Sequence, residues 1–515
     1  MELRPYQQEA VARGVSSGNL LMAMVMGSGK TVTAITTIRQ LRRQREVAHG
    51  VIFAPKSTLG QWFREIEDWD PRASVQVVNG DRGYRHWCWR HASEFNYSIC
   101  TIDSALIHDW EIFKAHAPRD FLIIDEITCI KGFTAKRSRR AKLLAKTTPV
   151  RLGLSGQPLE NRPEELFSIM EFIDREALGR FEKFDRTFIT RDHWGHPKKY
   201  KNLDVLRKRM DLFMFRRNRE DIKEWLPERI EMEVPIVLEP VVMKLHDHIR
   251  DDLSSALDQA IGLGASGSFD VVAHYGRADQ HDRMSAMGQV MSRLLAMRML
   301  SSHPDLLRRS ASDFDNPLSK QGSEYASVLA SSGLLDGQPS MTVKLESLVE
   351  MVHQILDEDP NHKVVVFSYF RPMLRIIEKA LGRPSVLIDG MTSQQGRDRA
   401  IQAFNHDPKT RIFLSSDAGA YGVDLNQGSH LICYDLPWSA GALAQRVARI
   451  DRTNSAFKQI NISYLYGQST IEERMYRMLA QKMRVARAFL DGDFDGKTGG
   501  IKLDLESLRE FLDAT

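Results

Sequence analysis

Short apolar runs of strand length, separated by longer amphipathic stretches, narrow the possible folds of this chain more than any other feature. Leu20 to Val25, Val51 to Ala54 and Phe121 to Ile124 form one group; Val364 to Phe367, Ile412 to Leu414 and Leu431 to Tyr434 form a second. These runs are apolar throughout and do not alternate, as strands buried on both faces require. The stretches between them suit crossover helices, so each group reads as a parallel sheet wound with helices. The expected class is α/β, and 515 residues are too many for a single core. The expected division is a first lobe at 1–235 with a helical protrusion, a helical linker or insert at 236–340, a second lobe at 341–490, and a tail at 491–515 that contains a possible docking helix. Flexible breaks are expected at Gly262 to Ser268 and at Ser331-Ser332-Gly333. The segment from Met284 to Met299 reads as a packed helix.

The first group carries a phosphate-binding loop in the context such a loop needs. Gly27-Ser28-Gly29-Lys30-Thr31 follows a strand-like run and precedes Val32 to Leu41, which has helix-forming composition. Glycines let backbone N–H groups turn inward around phosphate oxygens, and the helix N-terminus adds its dipole. Lys30 supplies a positive charge and Thr31 a hydroxyl for Mg²⁺. The full pattern has a glycine four residues before Ser28, where this chain has Met24. Farther on, the run Phe121 to Ile124 ends in Asp125-Glu126. Two carboxylates at the mouth of a buried strand are costly unless something binds there. Asp125 is assigned to the Mg²⁺ shell with Thr31, and Glu126 to polarising the attacking water.

Along most of its length the chain resembles the SNF2-like ATPases of helicase superfamily 2. Leu3-Arg4-Pro5-Tyr6-Gln7 is similar to the family's opening Q motif, and Met26 to Thr31 to its motif I. Ala54 to Leu59 with Gln61 to Ile66 resembles motif Ia, Asp125 to Thr128 the Asp-Glu box, and Leu154 to Asn161 motif III. Phe215 to Ile222 followed by Leu226-Pro227 resembles the Arg-Arg segment that ends the first lobe, and with Asn202-Leu203 it leans to the annealing-helicase-like branch. Val365 to Phe370 is similar to motif IV, and Ile388 to Thr392 to the signature that follows it. Ser415 to Asn426 resembles motif V, and Gln445 to Arg452 motif VI, with Asp451 in place of a family His.

The resemblance implies two RecA-like parallel-sheet lobes in tandem with helical insertions. It also implies an ATP- and Mg²⁺-dependent, DNA-dependent ATPase. Gln7 would read adenine; Gly27, Ser28, Gly29, Gly422 and Asp424 would line the ATP site; Ser155, Gln157 and Gln445 would couple it to movement; Lys56 and Ser57 would lie against nucleic-acid phosphates. Arg449 and Arg452, three apart, are expected on one helix face as arginine fingers reaching from the second lobe. Closing the lobes would then be a condition of hydrolysis.

A nucleic-acid grip should appear as local charge, since the formal net charge is only +4. Between Lys131 and Arg151 stand eight Lys or Arg and no acid. Lys131, Lys136, Arg137, Arg139 and Arg140 are therefore expected to bind phosphates of double-stranded DNA without sequence choice. Four cysteines without a CxxC pair exclude a zinc scaffold, and neither a signal-peptide h-region nor an 18-residue apolar run is present. The expectation is a monomeric intracellular protein without a membrane segment, cytoplasmic if prokaryotic or phage-like and nuclear if eukaryotic, with a protein partner as one possible means of targeting.

Two tempting sites are set aside. Asp491 to Gly496 matches half a calcium loop, but Lys502 stands where the bidentate Glu belongs. His303-Pro304 reads as a structural corner. Beside a double-stranded DNA translocase, two other readings stay open: a strand-separating DNA or RNA helicase, and a nucleotide-gated binding module with decayed hydrolysis.

Overall fold

Two large parallel sheets carry the chain, in a computed structural model that describes residues 2–44, 46–156, 158, 163–191, 197–262, 286–319, 321–420, 423–491 and 509. In the first sheet, β1 (Asn19–Met24), β2 (Gly50–Phe53), β3 (Val75–Val78), β4 (Tyr97–Cys100), β5 (Phe121–Ile124), β6 (Val150–Ser155) and β9 (Met214–Arg217) lie in the order β3-β4-β2-β5-β6-β1-β9. A small antiparallel pair, β7 (Ile189–Arg191) and β8 (Pro197–Tyr200), stands apart from it. The second sheet takes β10 (Glu228–Ile236), β11 (Val364–Phe367), β12 (Ser385–Ile388), β13 (Ile412–Ser415), β14 (His430–Cys433) and β15 (Gln459–Gly467) in the order β10-β15-β14-β11-β13-β12.

Burial explains which runs became strands. β2, β5, β11 and β13 are buried at every position, and helices cover both faces of each sheet, as the separate apolar clusters on the two sides show. In the first sheet β6 lies between β1 and β5. The loops after β1, β5 and β6 therefore leave the same carboxyl edge, about two strand spacings (~10 Å) apart at most. Ligands bind at this edge in open parallel sheets.

The passage between lobes comes earlier than the boundary at 235. Glu228–Ile236 pairs along its length with Gln459–Gly467 and so belongs to the second sheet. Its alternating charges fit an edge strand, where Pro235 costs no ladder bond. Tyr464 and Tyr466 donate hydroxyl hydrogen bonds to Glu231 (2.9 Å) and Glu233 (3.0 Å) and hold the strand in register. The segment read as a linker at 236–340 also shares a core with the second sheet. Leu245, Ile249, Leu253 and Leu257 of helix Pro240–Gly262 join Val290, Leu294 and Met297 of helix Ala286–Ser302 and meet Val365, Phe367 and Leu431. From the Met-rich segment, Met287, Met291 and Met299 pack against that cluster; Met284 lies outside the described residues, as do most of the Gly262 to Ser268 break and nearly all of the tail with its calcium-like loop.

His303 is a corner. It is fully buried and caps the helix Pro304–Asp315: its Nδ1 accepts the Asp305 N–H at 3.1 Å, and its Nε2 lies 3.2 Å from the Ser340 carbonyl. Burial lowers its pKa, consistent with a neutral ring that donates once and accepts once.

The second lobe also encloses an ion pair, Lys344 with Glu472, whose side chains are 0% and 3% exposed. Lys344 stands over the Tyr434 ring, and Glu472 accepts the Gly467 N–H at 2.9 Å. Removing one partner strands a buried charge, so Lys344→Ala should cost about 3–5 kcal/mol. The paired change Lys344→Met with Glu472→Leu should recover most of that loss. Urea unfolding midpoints of the three chains check this; a Lys344→Ala midpoint equal to wild type would refute it.

Candidate active site

The loop after β1 needs its glycines for two reasons. Gly27 and Gly29 have φ of +77° and +79°, a region that favours glycine. A Cβ at Gly27 would also lie 2.5 Å from the Asp451 carbonyl oxygen of the other lobe, and one at Gly29 2.4 Å from Gln7 Nε2. Gly29 hands the chain into helix Lys30–Arg43, whose first turn presents Lys30 and Thr31. Lys30 folds back over its own loop, with Nζ 3.1 Å from the Met24 carbonyl and 3.4 Å from that of Val25. Ser28 is fully buried, and its hydroxyl has no hydrogen-bond partner within the protein. An orphaned hydroxyl between two glycines of positive φ suits a phosphate oxygen.

Gln7 does more than its motif suggests. Its Oε1 accepts the Arg4 N–H at 2.9 Å, and its Nε2 donates to the Ser28 carbonyl at 2.9 Å. Tyr6 donates to the same carbonyl at 2.8 Å. The Q motif thus braces the phosphate loop from behind.

At the end of β5, Asp125 Oδ1 accepts the Glu126 N–H at 3.0 Å, and Oδ2 accepts Trp62 Nε1–H at 2.9 Å. Burial raises the Asp125 pKa, while the Trp62 bond and the Lys30 charge oppose that shift. Glu126 sits at φ +49°, uncommon for a residue with a Cβ. Strain of this kind costs on the order of 1–3 kcal/mol and gathers at functional sites. Burial lowers the Lys30 pKa against the pull of Glu126 and Asp125, with Arg452 and Arg449 adding to the depression. All five expected catalytic residues therefore share one charge neighbourhood.

The arginines do not occupy a helix face. Helix Ala440–Val447 ends before them, and Arg449 and Arg452 stand on the turns that follow. Asp451 and Ile450 donate back to the Val447 carbonyl at 3.1 and 3.2 Å, so the last turn tightens and stops. Both guanidinium groups converge on the Val423 carbonyl, Arg449 Nη1 at 3.2 Å and Arg452 Nη2 at 3.1 Å. Asp424, expected to line the ATP site, pairs with Arg452 Nε at 3.3 Å. Gln445 holds Arg449 Nε on its carbonyl at 2.9 Å. Arg446, to which the sequence assigned no role, is 1% exposed and is anchored to Asp417 (2.9 Å) and Asp435 (3.6 Å). Gly422 and Gln157 lie outside the described residues. Ser155 ends β6, beside the phosphate loop through its pairing with Ala23.

Two further residues of the cleft carried no assigned role, although both lie in the motif Ia stretch. Trp62 orients Asp125. Glu65, three residues on, has its pKa pushed up to about 7 by burial, with Arg452, Asp125 and Asp424 among the charges it feels.

The cations expected to grip phosphates differ in their surroundings. Arg137 pairs with Asp103 at 3.4 Å, Lys131 lies 3.9 Å from Glu165, and Arg140 stacks on Trp110 at 4.6 Å. Lys56, Lys136 and Arg139 are exposed, and Ser57 is half-buried.

An SNF2-related domain model matches residues 6–306, and a helicase conserved C-terminal domain model matches 344–454. The chain belongs to the SNF2-related family. It is similar to the mouse SWI/SNF-related matrix-associated actin-dependent regulator of chromatin subfamily A member 1, with 26% identity over 91% of this chain and 41% of that protein. It is likewise similar to the mouse DNA repair and recombination protein RAD54B, with 25% identity over 95% of this chain and 56% of that one. The chain thus spans about half the length of these relatives. Among solved structures it is similar to the Sulfolobus solfataricus SWI2/SNF2 ATPase core in complex with dsDNA, at 22% identity over 96% of this chain and 94% of that one, with a TM-score of 0.41. No helix among the described residues of this SNF2-related chain is long and apolar enough to cross a membrane.

Two predictions follow from this geometry. Arg449→Ala or Arg452→Ala should leave nucleotide affinity nearly intact, because the binding loop is on the other lobe. Turnover should fall by about 10³-fold or more for the residue that meets the transition state, and lysine should rescue poorly. Normal turnover in both variants, measured by phosphate release, would remove the second lobe from the chemistry. Glu65 bears on stability. Its folded pKa lies above the ordinary carboxylate value, so the unfolded chain loses that proton first, and wild type is penalised progressively as pH rises from about 4.5 to 7. Glu65→Gln should therefore gain about 1–2 kcal/mol on wild type between pH 5 and pH 8. A stability difference that does not change with pH would contradict this.

Proposed function

We propose that this chain is an ATP-hydrolysing motor that moves along or remodels double-stranded DNA. The observation that carries the reading is the meeting of the two lobes at the phosphate loop: the turn that bears Arg449 and Arg452 passes 2.5 Å from the position of a Gly27 Cβ, and its Thr453 hydroxyl donates to the Gly27 carbonyl at 3.1 Å. A site divided in this way works only when the lobes are together. Each hydrolysis event then becomes a cycle of closing and opening.

In this mechanism Lys30, the Ser28 hydroxyl and N–H groups at the start of helix Lys30–Arg43 hold the phosphates. The Thr31 hydroxyl and the Asp125 carboxylate would hold Mg²⁺, which neutralises charge on the phosphate oxygens and usually keeps several waters. Two protein ligands, one of them an aspartate already oriented by hydrogen bonds, fit that preference. Glu126, turned by its positive φ, orients the attacking water, while Arg449 and Arg452 stabilise charge that develops in transfer.

DNA as the track is supported by the names of relatives that act on chromatin or in DNA repair and by the exposed cations Lys56, Lys136 and Arg139 on the first lobe. Phosphate contacts of this kind position a protein without reading sequence.

Duplex DNA is expected to stimulate ATP hydrolysis, with stimulation falling steeply as salt rises. Lys136→Glu with Arg139→Glu should raise the duplex concentration for half-stimulation several-fold and leave DNA-free hydrolysis unchanged. Third-strand displacement from a triplex, without unwinding of a forked duplex, is expected of the translocase. An unchanged half-stimulation in the double variant would return these cations to the solvent, and fork unwinding would favour a strand-separating helicase.

A further inference from the structure

The loop that carries Arg449 and Arg452 is tied to the first lobe at three points, and the strongest tie is a buried carboxylate between the two arginines. Asp451 is 4% exposed. Arg219, in the segment leaving β9, meets it at two points, Nε to Oδ2 at 3.1 Å and Nη2 to Oδ1 at 3.3 Å. Arg229 of β10 approaches the same Oδ2 with Nη1 at 3.5 Å and also pairs with Glu231 at 2.6 Å. The other two ties are on Thr453. Its hydroxyl donates to the Gly27 carbonyl at 3.1 Å, joined there by its N–H at 3.4 Å, and its carbonyl accepts Arg4 Nη2 at 2.7 Å.

We propose that Asp451 is a positioning residue for hydrolysis: clasped by Arg219 and Arg229, it fixes the turn that sets Arg449 and Arg452 against the phosphate loop. This rests on the ATPase reading above. The argument begins with cost. Drawing a carboxylate and two guanidinium groups out of water is expensive, and their attraction roughly repays the expense, so such a cluster adds little net stability. What it supplies is geometry. A planar guanidinium meeting a carboxylate at two points fixes both distance and angle. Arg449 lies two residues before this fixed point and Arg452 one after, on a turn past the end of helix Ala440–Val447, where Ile450 and Asp451 bond back to the Val447 carbonyl. The Asp451 carbonyl already sits where a Gly27 Cβ would be, so a small shift of the turn moves both arginines relative to the phosphates. Displacements of about 1 Å cost on the order of 10²-fold in rate.

The clasp also lies where the chain changes lobes. Arg219 and Arg229 flank the passage from β9 to β10, and Arg219 donates to the Pro227 carbonyl within it. Asp451 therefore registers the arginine turn on the connection between the sheets as well as on the first lobe itself.

The test is a double-mutant cycle on the full chain with ATP, Mg²⁺ and duplex DNA, using Asp451→Asn, Arg219→Gln and the pair. Asp451→Asn should lower kcat about 10- to 100-fold while KM for ATP stays within about threefold, measured at a temperature below the melting transition of each variant, since removing one partner also leaves buried charge uncompensated. Arg219→Gln should behave alike, and the pair should be no worse than the weaker single variant, because both remove the same restraint. Asp451→Glu, which keeps the charge, should recover at least several-fold in kcat over Asp451→Asn. Multiplying effects in the pair, a kcat equal to wild type in Asp451→Asn, or a loss confined to KM would each overturn the proposal. A wild-type chain without ATPase activity would instead overturn the functional reading beneath it.

Discussion

Gly27 has no side chain because the backbone of the other lobe passes where one would be. The Asp451 carbonyl lies 2.5 Å from that Cβ position, closer than any real side-chain carbon tolerates. The rest of the site depends on this approach. It lets Thr453 reach the Gly27 carbonyl and sets Arg452 beside the loop. A phosphate loop alone binds nucleotide; one closed over by a second backbone and two guanidinium groups has the parts for hydrolysis.

Each sheet contributes through its carboxyl edge. β1, β6 and β5 lie side by side, so the loop, Ser155 and the Asp125-Glu126 pair emerge together. On the second sheet, the Val423 carbonyl collects both arginines, and Asp424 takes the Nε of one. Two buried charges beside this cleft have compensating partners: Arg446 with Asp417 and Asp435, Asp451 with Arg219 and Arg229. Such pairs do little for stability and much for geometry, as expected where atoms must be placed to within tenths of an ångström.

The strands buried on both faces were legible in the sequence because burial leaves an uninterrupted apolar run. Phe121–Ile124 and Val364–Phe367 match residue for residue, and the other expected runs differ only at their ends. β10 was illegible as part of the second lobe: Glu228, Glu231 and Glu233 interrupt any apolar run, and only the partner strand, more than two hundred residues away, shows that this is an edge. The docking of 240–340 on the second sheet was hidden for the same reason, since amphipathic helices do not name the face they cover. In the site, the residue types were readable but not all of their partners. Three-residue spacing suggested a helix face for Arg449 and Arg452, whereas the backbone tightens at Val447 and the carbonyl of Val423 aligns them. Trp62 and Glu65 lay inside a recognised stretch, but one-dimensional spacing carries no sign that they face Asp125 and the arginines.

The claim that hydrolysis requires lobe closure is tested most directly by a distance across the cleft. Dyes attached at exposed Glu111 of the first lobe and exposed Lys409 of the second report it in single molecules. In a Glu126→Gln chain with duplex DNA, ATP and Mg²⁺ should collapse the distances to one narrow, closed population, and adding Arg452→Ala should leave them broad. An identical distribution with and without ATP, in a wild-type chain that hydrolyses ATP at full rate, would contradict the account.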